Sequence, residues 1–248
     1  MSLTSIWGLP EEVNGIGNIY PVKMIDYDRF NSVSNYLRYA KGHFQLPKGD
    51  SSKIPLLDLL LHFFREDEID KKLCILFSII LRSEVSFMTN GEDYYFQSEE
   101  VEEDGKIIYH CINRDNYDEF RQVVMKQNLI HEPKVYKNKM VQQWAEKVLN
   151  ARNKNSANIE VEDMITTVSA FTGKNYNVLM NSSIYQLYAD FYRVRKMKNF
   201  DTSVLAGAVG GEMKLEDFAE SLDIYKNPYD DLFVGKGKMK NINNALKG

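Results

Sequence analysis

Asn90-Gly91 sits where the hydrophobic period of the chain changes from helical to alternating, and that change decides the fold class. Upstream, Leu56, Leu57, Leu60, Phe63 and Phe64, and then Leu73, Leu76, Phe77 and Ile80, recur at the three- and four-residue spacing of a broad helical face. Pro55 after Ser51-Ser52 suits a helix start, because first-turn N–H groups have no intrahelical partner anyway. Residues 55–82 therefore predict a buried helical hairpin broken at Glu66-Asp67-Glu68. The pattern then alternates: Val85 and Phe87 lead into Asn90-Gly91, and Tyr94 and Phe96 lead out. Both turn residues tolerate the positive φ that a type I′ turn demands. Asp104-Gly105 makes a second turn before a third strand, Lys106 to Ile112. A small antiparallel meander enclosed by helices predicts an α+β chain that is predominantly α-helical.

The flanking segments support that class. Residues 1–18 read as an irregular lead-in, and Ile19 to Ile25 as a short strand. Pro21 sends that strand to a sheet edge, since proline cannot donate a ladder bond. Asp26 caps a helix through Phe30, Val33 and Leu37. Asn116 and Glu119 have the spacing of a capping box for a helix reaching Asn128. Met140 to Arg152 and Val161 to Phe171 are helical, the second closed by Gly173. Ser182 or Ser183 caps a helix with Ile184, Leu187, Tyr188, Phe191 and Val194 on one face, and Leu215 to Leu222 predicts a short helix. The polar run at 153–158 suggests a boundary: an α+β domain at 1–153, a helical domain at 154–234, and a flexible basic tail at 235–248.

Composition narrows function. The chain has 248 residues, 44% hydrophobic and 27% charged, with a net charge of −4. That acidic balance opposes nucleic acid and anionic membranes as partners. Eight acids and no Lys or Arg fall between Glu84 and Asp104, which makes the meander edge acidic. The most apolar run, Leu73 to Leu81, has nine residues against the roughly 20 a bilayer crossing needs. Cys74 and Cys111 lie in apolar contexts and read as small buried hydrophobes. The first residues lack the pattern of a secretory signal, so the expected location is the cytoplasm.

Motifs for chemistry are missing. The four histidines, His43, His62, His110 and His131, are scattered, and His110-Cys111 would point to opposite faces of a strand. Gly207 to Gly211 lacks the strand–loop–helix frame and the Lys-Ser/Thr of a phosphate loop. Asp115 with Asp118, and Glu216 with Asp217, sit at helix starts, where capping explains them better than acid–base work. The expectation is a protein with no catalytic residues, no metal and no cofactor. Binding residues are sought on the helix after Ser183. Tyr185, Tyr188 and Tyr192 form a stripe beside its apolar face; a helix this aromatic is either deeply packed or a docking surface. Tyr185 and Tyr192 lie off the apolar face. Arg193, Arg195, Lys196 and Lys198 complement the helix C-terminus or meet an acidic partner, whether the 84–104 meander or another chain. The candidate partner-binding set is Tyr185, Tyr188, Tyr192, Arg193, Arg195 and Lys196.

Several phrases resemble a known family. Ile19-Tyr-Pro-Val-Lys-Met-Ile-Asp-Tyr-Asp-Arg-Phe30, Asn113-Arg-Asp-Asn-Tyr-Asp-Glu-Phe120 with Gln127-Asn128, Ser183-Ile-Tyr-Gln-Leu-Tyr-Ala-Asp-Phe191, and Lys226-Asn-Pro-Tyr-Asp-Asp-Leu-Phe233 are similar to tail assembly chaperones of phages and prophages of Gram-positive bacteria. The resemblance implies a non-enzymatic late protein of the host cytoplasm. Such a protein coats the tape-measure protein and recruits tail-tube subunits during virion assembly. Its partners are proteins, with neither nucleic acid nor membrane involved, and a homo-oligomer is compatible with it. A structural component of the tail, neck or baseplate, and a phage or host regulatory protein, are the alternatives.

Overall fold

A computed structural model of the protein describes residues 3–44, 46, 51–91, 93–101, 105–136, 138–154, 159–210 and 217–225. The chain divides into two units, one of Met1–Glu132 with Ile159–Ile224, the other of Pro133–Asn158 with Tyr225–Gly248. The α+β class holds: helices dominate, with one small antiparallel meander and a two-stranded ribbon.

The first unit begins with a one-turn helix, α1 (Leu3–Trp7), and a ribbon of β1 (Glu11–Val13) and β2 (Gly17–Ile19). The ribbon falls within the stretch that reads as irregular in sequence. α2 (Tyr27–Val33) follows a 3-10 turn, and Asp26 precedes it without the side-chain cap expected there. α3 (Leu56–Phe63) and α4 (Ile69–Leu81) are the predicted helical hairpin, and most of their apolar positions are buried. The meander is β3 (Val85–Thr89), β4 (Tyr94–Val101) and β5 (Ile107–Ile112) in the order β3-β4-β5. Its first turn is at Asn90-Gly91, but not as the expected type I′ turn: of the two only Gly91 has positive φ, at +97°, and the Asn90 carboxamide instead accepts from the Asp93 amide at 2.7 Å. Phe96 pairs with Phe87 on one side and Ile112 on the other, and packs edge-on against Phe77 of α4. The meander's inner face is thereby fastened to the helical hairpin.

α5 (Tyr117–Gln127) covers this junction through Tyr117, Phe120 and Val124. Its start departs from the capping-box expectation: the Asn116 side chain accepts from the Asn113 amide and donates to the Cys111 carbonyl, stitching the β5–α5 turn instead. α7 (Val161–Thr172) ends at Gly173, whose φ of +72° is the left-handed cap that its sequence predicts. α8 (Tyr176–Asn181) and α9 (Ile184–Ala208) complete the unit, α9 running ten residues beyond the basic cluster. Residues of α7, α8 and α9, among them Met164, Leu179 and Leu187, belong to the same hydrophobic core as Val13, Leu57 and Phe77.

What joins these parts is the extended stretch after β2. The sequence reads Ile19 to Ile25 as an edge strand, yet only Gly17–Ile19 pairs with a neighbouring strand. Beyond it the backbone bonds to helix ends. The Tyr20 amide donates to the Ile80 carbonyl, the Met24 amide to the Ser182 carbonyl, and the Ile184 amide to the Val22 carbonyl. The Val22 amide donates to Asn128 Oδ1 at 3.0 Å, and Gln127 Nε2 donates to the Ile19 carbonyl at 3.0 Å. Only the even-numbered residues need their N–H groups, so Pro21 removes no bond.

In the second unit, α6 (Lys139–Lys154) begins where Asn138 Oδ1 accepts from the Met140 amide. The expected linker at 153–158 lies largely outside the described residues, as do the tail at 235–248 and residues 215–216 of the expected 215–222 helix. Residues 217–222 are turn and irregular structure, not helix.

Asn128 is 4% exposed, and its carboxamide also donates to the Val124 carbonyl. Asn128→Leu keeps the side chain's branching and heavy-atom count but orphans the Val22 amide, an expected loss of about 2 kcal/mol. In thermal unfolding the midpoint should fall by roughly 4–8 °C.

Candidate functional site

The N-terminal end of α9 is built by reciprocal capping. The Gln186 amide donates to Ser183 Oγ at 3.1 Å, and the Ser183 amide donates to Gln186 Oε1 at 2.8 Å. The other end of the same carboxamide, Gln186 Nε2, donates to the Ile6 carbonyl at 2.7 Å and so holds α1 against α9. Gly8 makes this approach possible: its φ is +66°, and a Cβ there would meet Gln186 Nε2 at 3.3 Å. On the other side of the cap, Asn175 Oδ1 accepts from the Val178 amide and starts α8, which runs directly into Ser182-Ser183.

Both elements at this end turn apolar side chains to solvent. α1 has no buried residue; Leu3, Ile6 and Trp7 are exposed, Trp7 at 62%. α8 buries Leu179 alone and exposes Tyr176, Val178 and Met180, Tyr176 at 58%. A short helix that is apolar on its outward face as well as its inward one has the composition of a docking surface. Phe171, at the end of α7, is exposed too, with Lys198 Nζ 4.8 Å from its ring.

The residues singled out on α9 are placed differently. Tyr185, expected off the core face, is 4% exposed, and its hydroxyl has no hydrogen-bond partner. Burial pushes its phenol up from the ordinary value. The start of α9 also bonds to α1 and to the 20–24 segment through Gln186 and Ile184, so the environment there differs from the single stripe that spacing alone predicts. Tyr188 and Tyr192 are half-buried, their rings 6.2 Å apart, and pack on the core edge. Lys196 meets an acidic side chain and Arg193 meets main-chain carbonyls, both on the 217–220 segment and neither on the meander. Lys196 Nζ pairs with Glu220 at 2.8 Å, and Arg193 donates to the Phe218 and Glu220 carbonyls. Phe218 stacks edge-on against Phe200, so the 217–220 segment is fastened to α9 by both charge and ring contact. Arg195 is exposed.

The sequence could have disclosed α1: Leu3, Ile6 and Trp7 have helical spacing. α8 carried no such signal, because in six residues an apolar exposed face and an apolar buried face look alike.

Elsewhere the charged groups knit structure. Asp58 accepts from the Tyr94 hydroxyl and lies 3.8 Å from Arg114, which also pairs with Asp93 at 3.4 Å. Burial raises the Asp58 carboxyl, opposed by Arg114. The network ties α3 to the meander. Burial likewise raises both thiols, Cys74 and Cys111, which are free. Among the described residues no three His, Cys, Asp or Glu cluster as a metal site, and no helix is long and apolar enough to cross a membrane.

Comparison with known proteins gives two findings. Residues 152–223, the stretch holding α7, α8 and α9, match the family described as the YomV second domain. The chain is also 26% identical over 137 residues to the SPbeta prophage-derived uncharacterized protein YomV of Bacillus subtilis (strain 168). That match covers 55% of this chain and 57% of the relative, so the chain spans little more than half the relative's length. No solved structure matches. The similarity is thus to a prophage-derived protein, and neither finding concerns tail assembly.

Tyr185 gives a direct test of burial against docking. Tyr185→Phe removes only the unpartnered hydroxyl and should leave thermal stability equal or higher. Tyr185→Ser empties a ring-sized volume and should cost about 3 kcal/mol, a fall of roughly 10 °C in the melting midpoint.

Proposed function

We propose that this protein is a non-enzymatic phage tail assembly chaperone of the host cytoplasm. It binds the tape-measure protein and helps recruit tail-tube subunits onto it. Three lines support this reading: the similarity to a prophage-derived protein, the phrases shared with tail assembly chaperones, and the apolar surface at the start of α9. The surface carries the most weight. A tape-measure protein is a long helical chain that must be kept from aggregating, and an amphipathic helix is recognised by laying its apolar face on another apolar face. Trp7, Tyr176, Val178 and Met180 offer rings and flexible side chains of the kind that dominate such contacts. Tyr188, Tyr192 and Arg195 border α9 farther along and would extend the contact.

The test is co-expression with the tape-measure protein encoded beside this gene. The wild-type chain should keep that protein soluble. Trp7→Ser combined with Val178→Ser should fold, as judged by circular dichroism, and should weaken the complex by about 2 kcal/mol or more, leaving the partner in the pellet. A wild-type chain that fails to bind the tape-measure protein refutes the chaperone reading. A folded double variant that still solubilises the partner refutes this surface. Incorporation of the chain into purified particles would make it a virion component instead.

A further inference from the structure

A cavity of about 350 Å³ lies between β2, the end of α4 and the meander. Its polar lining is Asn18, Arg82, Ser83, Ser98, Glu99 and His110. Three features set it apart from an ordinary surface dent. First, Arg82 forms no ion pair with any described residue, and its guanidinium lies 4.2 Å from the Tyr20 ring centroid. Stacked there, the fork is held in one plane while its N–H edges stay available. Second, Arg82 follows α4 with φ at +54°, a left-handed position where glycine is favoured and an arginine is strained. Third, the wall opposite is tightly fitted. Ser98 and His110 are cross-strand partners, Ser98 is 2% exposed, and Gly17 closes over the imidazole. A Cβ at Gly17 would stand 2.9 Å from His110 Cε1, so only glycine, here at φ +85°, lets β2 approach.

We propose that this cavity binds the oxyanion of a small molecule, a carboxylate or phosphate group, on the guanidinium of Arg82. A planar guanidinium pairs with two oxygens of such a group at once. Asn18 and Ser83 supply neutral donors around it, and Glu99 disfavours a bare dianion relative to a ligand that also carries a donor. The proposal is independent of the tape-measure reading.

Arg82 and Glu99 make opposite predictions. Titrate the full chain with sodium phosphate and, separately, with sodium acetate at fixed ionic strength, following backbone amide shifts by nuclear magnetic resonance. The amides of Ser83, Ser98 and His110 should move together and saturate. Arg82→Gly removes the guanidinium while relaxing the left-handed backbone, so it should melt no lower than wild type yet bind at least tenfold more weakly. Glu99→Gln should bind phosphate several-fold more tightly. The probe that saturates at the lower concentration distinguishes a phosphate from a carboxylate ligand. Shifts that do not saturate with either probe overturn the proposal, as does binding unchanged by Arg82→Gly or by Glu99→Gln. If Arg82→Gly melts lower than wild type, the guanidinium is a structural stack on Tyr20. Arg82→Lys then decides: it keeps the charge but not the fork, and undiminished phosphate affinity in it would sink the bidentate site.

Discussion

The first unit depends on an extended stretch with no strand beside it. Residues 20–24 leave β2 and must satisfy their backbone groups in the middle of a core, where an unmet N–H or C=O is costly. They do so by borrowing from the ends of helices. The end of α4 offers the Ile80 carbonyl, the end of α5 offers the side chains of Gln127 and Asn128, and the α8–α9 junction offers Ser182 and Ile184. Helix ends are where such spare groups exist, since their last carbonyls and first amides lack intrahelical partners. One short segment therefore fixes the positions of four helices. It also explains why residues more than 150 positions apart, such as Val22 and Ile184, share a core.

Once that thread is in place, the remaining pieces follow from side-chain chemistry. Arg121, 4% exposed, donates to the Leu37 and Tyr39 carbonyls and pairs with Glu132, so a buried cation closes the end of the loop after α2. Its charge is tolerated because every arm of the guanidinium has an acceptor. Tyr117 sits wholly inside, its hydroxyl unpartnered and its phenol pushed up by desolvation. The aromatic ring contributes its area, and the oxygen contributes nothing visible to the packing. Phe77 lies between Phe96, Tyr117 and Phe120, joining meander, α4 and α5 through rings.

How much of this was legible varied with the kind of signal. The meander was legible because the alternation and a glycine turn agree on where the strands reverse, although Asn90 lacks the positive φ of the type I′ turn expected there. The α3–α4 hairpin and the cap at Gly173 were read for the same reason: local chemistry and local geometry agree there. The path of residues 19–25 was misread because extended backbone looks the same whether its partner is a strand or a helix end. Tyr185 was misread because periodicity reports one face of an isolated helix. It cannot report which segments, distant in sequence, will pack beside that helix. The acidic partner sought for the basic cluster was the meander or another chain, whereas Lys196 pairs with Glu220, on a segment whose pattern suggested a helix of its own.

The candidate docking surface illustrates a sharper limit. A residue's hydrophobicity predicts burial, so exposed apolar residues are invisible to any reading that treats apolar positions as core. At the start of α9 the capping carboxamide of Gln186 spends both its ends on structure, one on Ser183 and one on Ile6. The exposed side chains on α1 and α8 include Leu3, Ile6, Trp7, Tyr176, Val178 and Met180, beside the polar Asn177 and Asn181. Polar replacements at these positions would leave the backbone bonds of the cap untouched, so the fold does not require the apolar choice.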